Sequence, residues 1–291
     1  MPSPTTAIST DVLVVGGGPA GLTAARSLRA AGVSDVLVLE RESEAGGIPR
    51  HSDHSGYGIR DLGRILKGPA YARRLAERAR ESGAEILTSA TVTGWAGDRS
   101  LLVTTPNGRV QVDARAVILA TGARERPRAA RMVPGDRPTG VYTTGQLQQA
   151  VYLQHESVGH RAVIVGAELV SWSAVLTLRH ADCRVALMTT EFESPEVFWP
   201  VAFAGRALLD GPLARATKVV RIIGRNRVEA VEIEHPVTGQ RRMVACDTVV
   251  FTGDWVPDHE LARLAGIELD RGHLGPLVDT RLATSVDGVF A

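Results

Sequence analysis

Asp11-Val12-Leu13-Val14-Val15-Gly16-Gly17-Gly18-Pro19-Ala20-Gly21 decides how the rest of this chain is read. An apolar strand runs into a glycine-rich turn, and the pattern from Leu22 to Ala31 is helical. Gly16 permits a sharp turn, Gly18 lets backbone approach phosphates without a Cβ in the way, and Gly21 lets the helix pack closely on the strand. The helix N-terminus then offers N–H groups and the positive end of its dipole to an anion. A second strand, Val36 to Leu39, ends in Glu40, placed to accept hydrogen bonds from ribose hydroxyls. A plain βαβ unit with a glycine turn would look similar, but the strand, turn, helix and acidic residue occur in the order a dinucleotide site needs.

Composition narrows the class. The 291 residues can hold two moderate domains, and 33 basic against 32 acidic side chains leave no global field for nucleic acid or an anionic membrane. No run is long and apolar enough to span a bilayer, and Met1 to Thr10 lacks the apolar centre of a signal peptide. The expected location is cytoplasmic. Cys183 and Cys246 form neither a disulfide framework nor a metal set, and both read as buried thiols; no metal is expected.

From Glu40 the chain is irregular and glycine-rich through Gly58, as a working loop would be. A helix is expected from about Pro69 to Ser82. Strands follow at Glu85–Thr88, Val92–Trp95, Leu101–Thr104 and Val110–Val112, the last two joined by an Asn107-Gly108 turn, and then at Ala116–Leu119. Arg124 to Pro138, rich in Arg and Pro, reads as a crossing between domains. Its arginines (Arg124, Arg126, Arg128 and Arg131) read as a solvated linker in preference to an anion clamp. Trp95, Trp172, Trp199 and Trp255 are expected to fill cores or contacts, and His155, His160 and His180 to lie on the surface.

The opening pattern then returns about 150 residues later. Ala162–Val165 is a strand, Gly166 begins a turn, Leu169–His180 is helical and Val185–Met188 is a second strand ending near Glu191. Strands at Val219–Ile223, Val228–Glu234 and Thr248–Phe251 and a short helix at Asp258–Ala265 complete the chain. The fold class is therefore α/β: two Rossmann-like dinucleotide-binding domains, the second inserted in the first, with a small β-meander. The expected domains are 1–124 and 253–291 for the first and 125–252 for the second.

These residues together resemble the family of flavoproteins with two dinucleotide-binding domains. The resemblance rests on Gly16 to Gly21, Glu40 followed by Gly46-Gly47, Ala120-Thr121-Gly122, Thr252-Gly253-Asp254 and the closing Thr284 to Ala291. It covers about Thr10 to Ala291. That family includes disulfide reductases, ferredoxin reductases and the flavin subunits of opine, imino-acid and amine dehydrogenases. It implies FAD at Gly16, Gly18, Pro19, Ala20, Gly21, Glu40, Arg41 and Gly47, with Thr121 and Gly122 close to the cofactor, and NAD(P)H in the inserted domain.

Three departures carry as much weight as the match. In the second turn Glu168 and Ser171 stand where the second and third glycines belong, beside Gly166. A glutamate charge about 5 Å from a phosphate charge costs roughly 3 kcal/mol at an effective dielectric near 20, about a hundredfold in affinity. The expectation is a degenerate site without tight NAD(P)H binding, provided the side chain neither turns away nor is neutralised. After Gly46-Gly47 no redox cysteine pair follows; Ile48 to Gly58 carries Arg50, His51, Ser52, Asp53 and His54 instead. Thiol–disulfide exchange is excluded there. His51 or His54 is placed to accept the proton released when a C–H or N–H bond gives hydride to flavin, and Arg50 to hold a carboxylate or phosphate; a polar loop, or Arg50 on the cofactor pyrophosphate, is the bland alternative. Finally, the sequence ends at Ala291, short of the Gly-Asp pair that follows the closing motif in the family. It is read as truncated, as holding FAD weakly, or as needing a partner to complete the site.

The expected activity is an FAD-dependent oxidoreductase, a dehydrogenase or oxidase taking hydride from a small hydroxy or amino metabolite and working with a separate redox partner subunit. The alternatives are an NAD(P)H-dependent flavin reductase and a non-catalytic subunit lacking stable FAD.

Overall fold

The computed structural model describes residues 6–197, 203 and 205–291; Trp199 lies outside them. The chain divides into two compact units. The first comprises residues 1–50, 55–124 and 256–291, and the second comprises 51–54 and 125–255.

In the first unit, strand Thr6–Val15 lies between Val36–Leu39 and Gly108–Leu119, parallel to both. Glu85–Leu87 extends the sheet in parallel beyond Val36–Leu39, and Ser100–Thr105 and Thr91–Gly97 extend the other side as an antiparallel meander. The apolar run is buried on both faces, as a central parallel strand requires. Val12 and Val14 pack with Ala25 of helix Pro19–Ala30, whereas Leu13 and Val15 pack with Leu101, Val103, Ala262 and Ile267. The alternation follows from the period of two along a strand.

Among the boundaries that differ from the sequence reading, two concern a single long strand. Val110–Val112 and Ala116–Leu119 are parts of one twelve-residue strand, Gly108–Leu119. Its residues 108–113 pair with the meander, and Val117 and Ile118 pair with Val289 and Phe290 near the end of the chain. Asp113 to Arg115 interrupt the hydrophobic pattern without interrupting the backbone ladder, because Thr6–Val15 pairs along both parts. The hairpin closes at Thr105 opposite Gly108, so the loop is Pro106-Asn107 and the positive φ of Gly108 (121°) begins the next strand. Proline lacks a ladder donor and suits the first turn position, which moves the turn back by one residue.

The second unit is a parallel sheet in the order Val141–Thr143, Thr248–Phe251, Arg161–Val165, Arg184–Thr189, Leu213–Ala214. A three-stranded antiparallel sheet, Lys218–Ile223, Ala230–Glu234 and Arg241–Ala245, belongs to the same unit. Helix Leu169–His180 begins and ends where its sequence predicts. Helix Thr144–Tyr152 does not stand out from hydrophobicity, but a capping box fixes its start: Thr143 Oγ1 accepts from Gln146 N–H, and the Gln146 side chain accepts from Thr143 N–H.

The arginines of residues 124–138 are not a uniformly solvated linker. Arg128 is buried and donates to the carbonyls of Val133, Pro134 and Asp136. Arg131 donates to the carbonyls of Arg126, Thr252 and Gly253 and lies over the Phe251 ring. Trp172 is buried and Trp95 Nε1 donates to Leu261 O, whereas Trp255 is about half exposed. His155, His160 and His180 are exposed, and Cys183 and Cys246 are buried free thiols. No helix among the described residues is long and apolar enough to cross a membrane.

Candidate dinucleotide sites

The first turn shows which glycines the fold needs and which it does not. A Cβ on Gly16 would stand 2.3 Å from Ala120 O, and one on Gly21 would stand 2.0 Å from Gly16 O. Both positions are closed to any side chain by the protein's own backbone. Gly18 is different: among the described residues, the only atom a Cβ there would meet within 4 Å is Gly47 Cα, at 3.9 Å. Packing leaves space at Gly18, so the absence of a side chain there fits a ligand that approaches the backbone closely. Gly18 is also the N-cap of helix Pro19–Ala30 and is followed by Pro19 in the first helical position. The residues present fit a pyrophosphate at this turn.

Neighbouring loops hold the turn in shape. Glu40 is buried; its Oε2 accepts from Gly17 N–H at 3.0 Å and its Oε1 from Glu42 N–H at 2.9 Å. The carboxylate expected at a ribose therefore also braces the turn, a role the sequence pattern does not reveal. Gly46 N–H donates to Gly17 O at 2.7 Å, and a Cβ on Gly47 would come within 2.9 Å of Gly18 Cα. Gly46-Gly47 thus lies directly on the turn. Arg50 runs its stem past Gly46 and places Nε 3.5 Å from Glu44 Oε2. Arg41 is exposed, 3.7 Å from Glu42 and 4.0 Å from Asp258.

Thr121 and Gly122 are tied to one partner that no local motif reveals. Thr121 Oγ1 donates to Asp258 O at 2.8 Å, and Asp258 N–H donates to Gly122 O at 2.9 Å. Arg124 then pairs with the carboxylates of Asp258 and Glu260.

The second turn is built differently. Gly166 keeps its positive φ of 133°, but Glu168 is the N-cap of helix Leu169–His180, and its side chain makes no capping bond among the described residues. Its carboxylate folds back over the turn. A Cβ on Gly166 would lie 2.8 Å from both Glu168 oxygens, and one on Gly253 would lie 2.3 Å from Oε1. Glu168 Oε1 is buried without a hydrogen-bond partner among the described residues. Ser171 is fully buried, with Oγ 2.7 Å from Thr252 Oγ1. Beneath the turn, buried Glu125 accepts from Gly145 N–H at 3.0 Å and Gly253 N–H at 3.2 Å. Burial raises its carboxyl above the ordinary range, and these N–H groups oppose that shift. Burial likewise lowers the Arg131 guanidinium, while the charges of Asp254, Glu125 and Glu168 act to raise it.

The same unit holds a polar cluster. His54 Nε2 lies 3.0 Å from Ser52 Oγ and 2.7 Å from Ser173 Oγ, and Gln148 Nε2 donates to both hydroxyls. Ser52, Gln148 and Ser173 are buried, as is His51. The sequence singled out the histidines; Gln148 and Ser173 come from two helices 25 residues apart and carried no local signal.

Residues 10–291 match the pyridine nucleotide-disulphide oxidoreductase family. The chain belongs to that family. Its members are FAD-dependent oxidoreductases, and FAD is the cofactor of this chain. The chain is 28% identical to the benzene 1,2-dioxygenase system ferredoxin–NAD(+) reductase subunit of Pseudomonas putida, over 98% of this chain and 66% of that protein. It is 26% identical to one of the opine oxidase subunits of Rhizobium meliloti, over 96% of this chain and 57% of that protein. Thus it spans about two thirds of the first relative's length and rather less of the second's. It is also 27% identical to thioredoxin reductase of Treponema pallidum, over 97% of this chain and 87% of that protein. The T. acidophilum thioredoxin reductase structure has the same fold, with a TM-score of 0.80, 21% identity and coverage of 97% and 89% of the two chains.

Proposed function

We propose that this family member is a flavin oxidoreductase, a dehydrogenase or oxidase, whose flavin is reduced directly by a small hydroxy or amino metabolite. The observation that carries the reading is the contrast between the two turns: an open, glycine-lined cradle at Gly18, and a turn at Gly166 covered by the carboxylate of Glu168. A charge at the second turn opposes the pyrophosphate of NAD(P)H. Relationship to the opine oxidase protein supports a metabolite donor, and the designation of that relative as one subunit of an oxidase supports a redox partner.

FAD, when bound, supplies the hydride acceptor. The chain's own part is to hold the pyrophosphate at Gly16, Gly18, Pro19, Ala20 and Gly21, with Glu40, Arg41 and Gly47 beside it and Thr121 and Gly122 close to the cofactor. In this proposal His51 or His54 accepts the proton released from the substrate, and Arg50 anchors a substrate anion. The roles of residues 1–124 and 253–291 in FAD binding, and of 125–252 as a degenerate NAD(P)-binding-like domain, belong to the same proposal.

The competing reading is an NAD(P)H-dependent reductase, which the names of the ferredoxin–NAD(+) and thioredoxin reductase relatives favour. Anaerobic mixing of FAD-reconstituted protein decides between them. A panel of hydroxy and amino acids is expected to bleach the flavin band, whereas NADH and NADPH near millimolar concentration leave it unchanged. Rapid bleaching by either nucleotide would reverse the assignment.

A further inference from the structure

Glu168 does more than stand near the second turn. Its two carboxylate oxygens lie on Gly166, Oε1 reaches Gly253, and that oxygen is buried without a hydrogen-bond partner among the described residues. The side chain therefore lies where the turn, the helix N-terminus and Gly253 converge, the part of a dinucleotide turn that faces a phosphate. We infer that Glu168 is the built-in occupant of the second cradle, an internal carboxylate in place of a dinucleotide phosphate, and that it alone keeps nicotinamide dinucleotides out. This rests on the reading that substrate, and not NAD(P)H, reduces the flavin.

The surroundings explain why a carboxylate is tolerated there. Arg131 donates to the Thr252 and Gly253 carbonyls at 2.9 and 2.8 Å, and the Glu168 charge is among those acting on its guanidinium. The helix that starts at Leu169 adds the positive end of its dipole. Both attractions would act equally on a phosphate. Removing Glu168 thus leaves a glycine turn, a helix N-terminus and a nearby guanidinium without their anion.

Ser171, the other departure from the glycine pattern, plays no part in the exclusion. It is fully buried, and its hydroxyl is held against Thr252 Oγ1, which also reaches Val165 O at 3.2 Å. In the first turn a Cβ at the corresponding Gly21 would collide with Gly16 O at 2.0 Å. At Ser171 a Cβ is present where Gly21 excludes one, and its hydroxyl is bonded to Thr252 Oγ1. The side chain belongs to the packing beneath the turn and is not in the cradle.

Calorimetric titration of the full FAD-reconstituted chain with NADH tests the inference. Glu168→Gly is expected to lower the dissociation constant by about tenfold or more relative to the unsubstituted protein, and Ser171→Gly to leave it unchanged. Glycine is well tolerated at an N-cap, and Glu168→Ala makes the same comparison if the glycine variant folds poorly. No gain in either Glu168 variant, or a gain of the same size in Ser171→Gly, overturns the inference. The functional reading has a separate test in the same samples: flavin bleaching by NADH in the unsubstituted protein would remove that reading, whereas an unbleached flavin with no gain at Glu168 removes only the occupant.

Discussion

His54 Nε2 lies 2.7 Å from Ser173 Oγ, and Gln148 donates to that same hydroxyl at 2.7 Å. Gln148 thus fixes the Ser173 oxygen, and the direction of the hydrogen bond between that hydroxyl and His54 Nε2 follows the imidazole tautomer. The arrangement suits an imidazole ring whose orientation is fixed by hydroxyls. His54→Ala is therefore expected to slow flavin reduction by the metabolite donor on the order of a hundredfold, with FAD still bound. Ser173→Ala removes one holding contact and is expected to cost roughly tenfold. Stopped-flow reduction, with bound FAD measured by absorbance, checks both. Unchanged rates in His54→Ala and His51→Ala would take the histidines out of catalysis.

Gly18 and Gly21 separate cofactor binding from folding. Space surrounds a Cβ at Gly18, whereas one at Gly21 overlaps Gly16 O. Gly18→Ala should keep its thermal midpoint while losing FAD affinity, and Gly18→Glu should abolish FAD binding in a folded protein. Gly21→Ala should lose about 1–3 kcal/mol of stability, because backbone must move to admit the methyl. Thermal melts paired with FAD titration give the comparison; a destabilised Gly18→Ala with normal FAD affinity would contradict it.

Asp247 links the second unit's stability to pH. Its carboxylate accepts from the N–H groups of His160 at 2.9 and 3.0 Å and Arg161 at 2.9 Å, and from Thr248 Oγ1 at 2.9 Å. Burial works against ionisation, but these bonds outweigh it and hold the carboxyl below its ordinary range. A depressed folded value means the stabilisation is complete above the unfolded aspartate value near 3.9 and is lost as pH falls through the folded one. Asp247→Asn is expected to cost on the order of 1 kcal/mol at pH 7, because water reaches and screens the carboxylate, with the difference from the unsubstituted protein shrinking in acid. Urea unfolding at pH 7 and at pH 3 measures it; an equal difference at both values would show that charge is not involved.

Legibility followed from whether a residue's partner is near in sequence. The strand–turn–helix at Gly16 and its return at Gly166 could be read because each is a local pattern with a fixed period. The helix at Thr144–Tyr152 was marked only by its Thr143–Gln146 cap, a weaker signal than a hydrophobic stripe. Asp258 as the brace for Thr121 lies 137 residues away, and Ser173 is 119 residues from His54. Those pairings exist only after the sheets form. Glu168 shows the remaining limit: the sequence identified a charge in the wrong place, but whether it turns outward or folds back onto Gly166 is decided by the path of the folded backbone around it.

The thiols bear on the mechanism because relatives named thioredoxin reductase make a dithiol reading natural. Cys183 and Cys246 are the two cysteines of the chain, and both are buried and free. Burial pushes each thiol up to about 12, and the charge of Asp247 adds to the shift in both. At pH 8 a thiol with such a value is thiolate in roughly one molecule in ten thousand, and the thiolate is the reactive form. Native protein should therefore give almost no reaction with a disulfide reagent over the time in which guanidinium-unfolded protein gives both thiols. Cys183→Ala and Cys246→Ala should each reduce flavin at the unsubstituted rate, with a modest stability loss from the vacated core volume. Rapid labelling of the native state, or loss of flavin reduction in either variant, would restore sulfur chemistry to the mechanism.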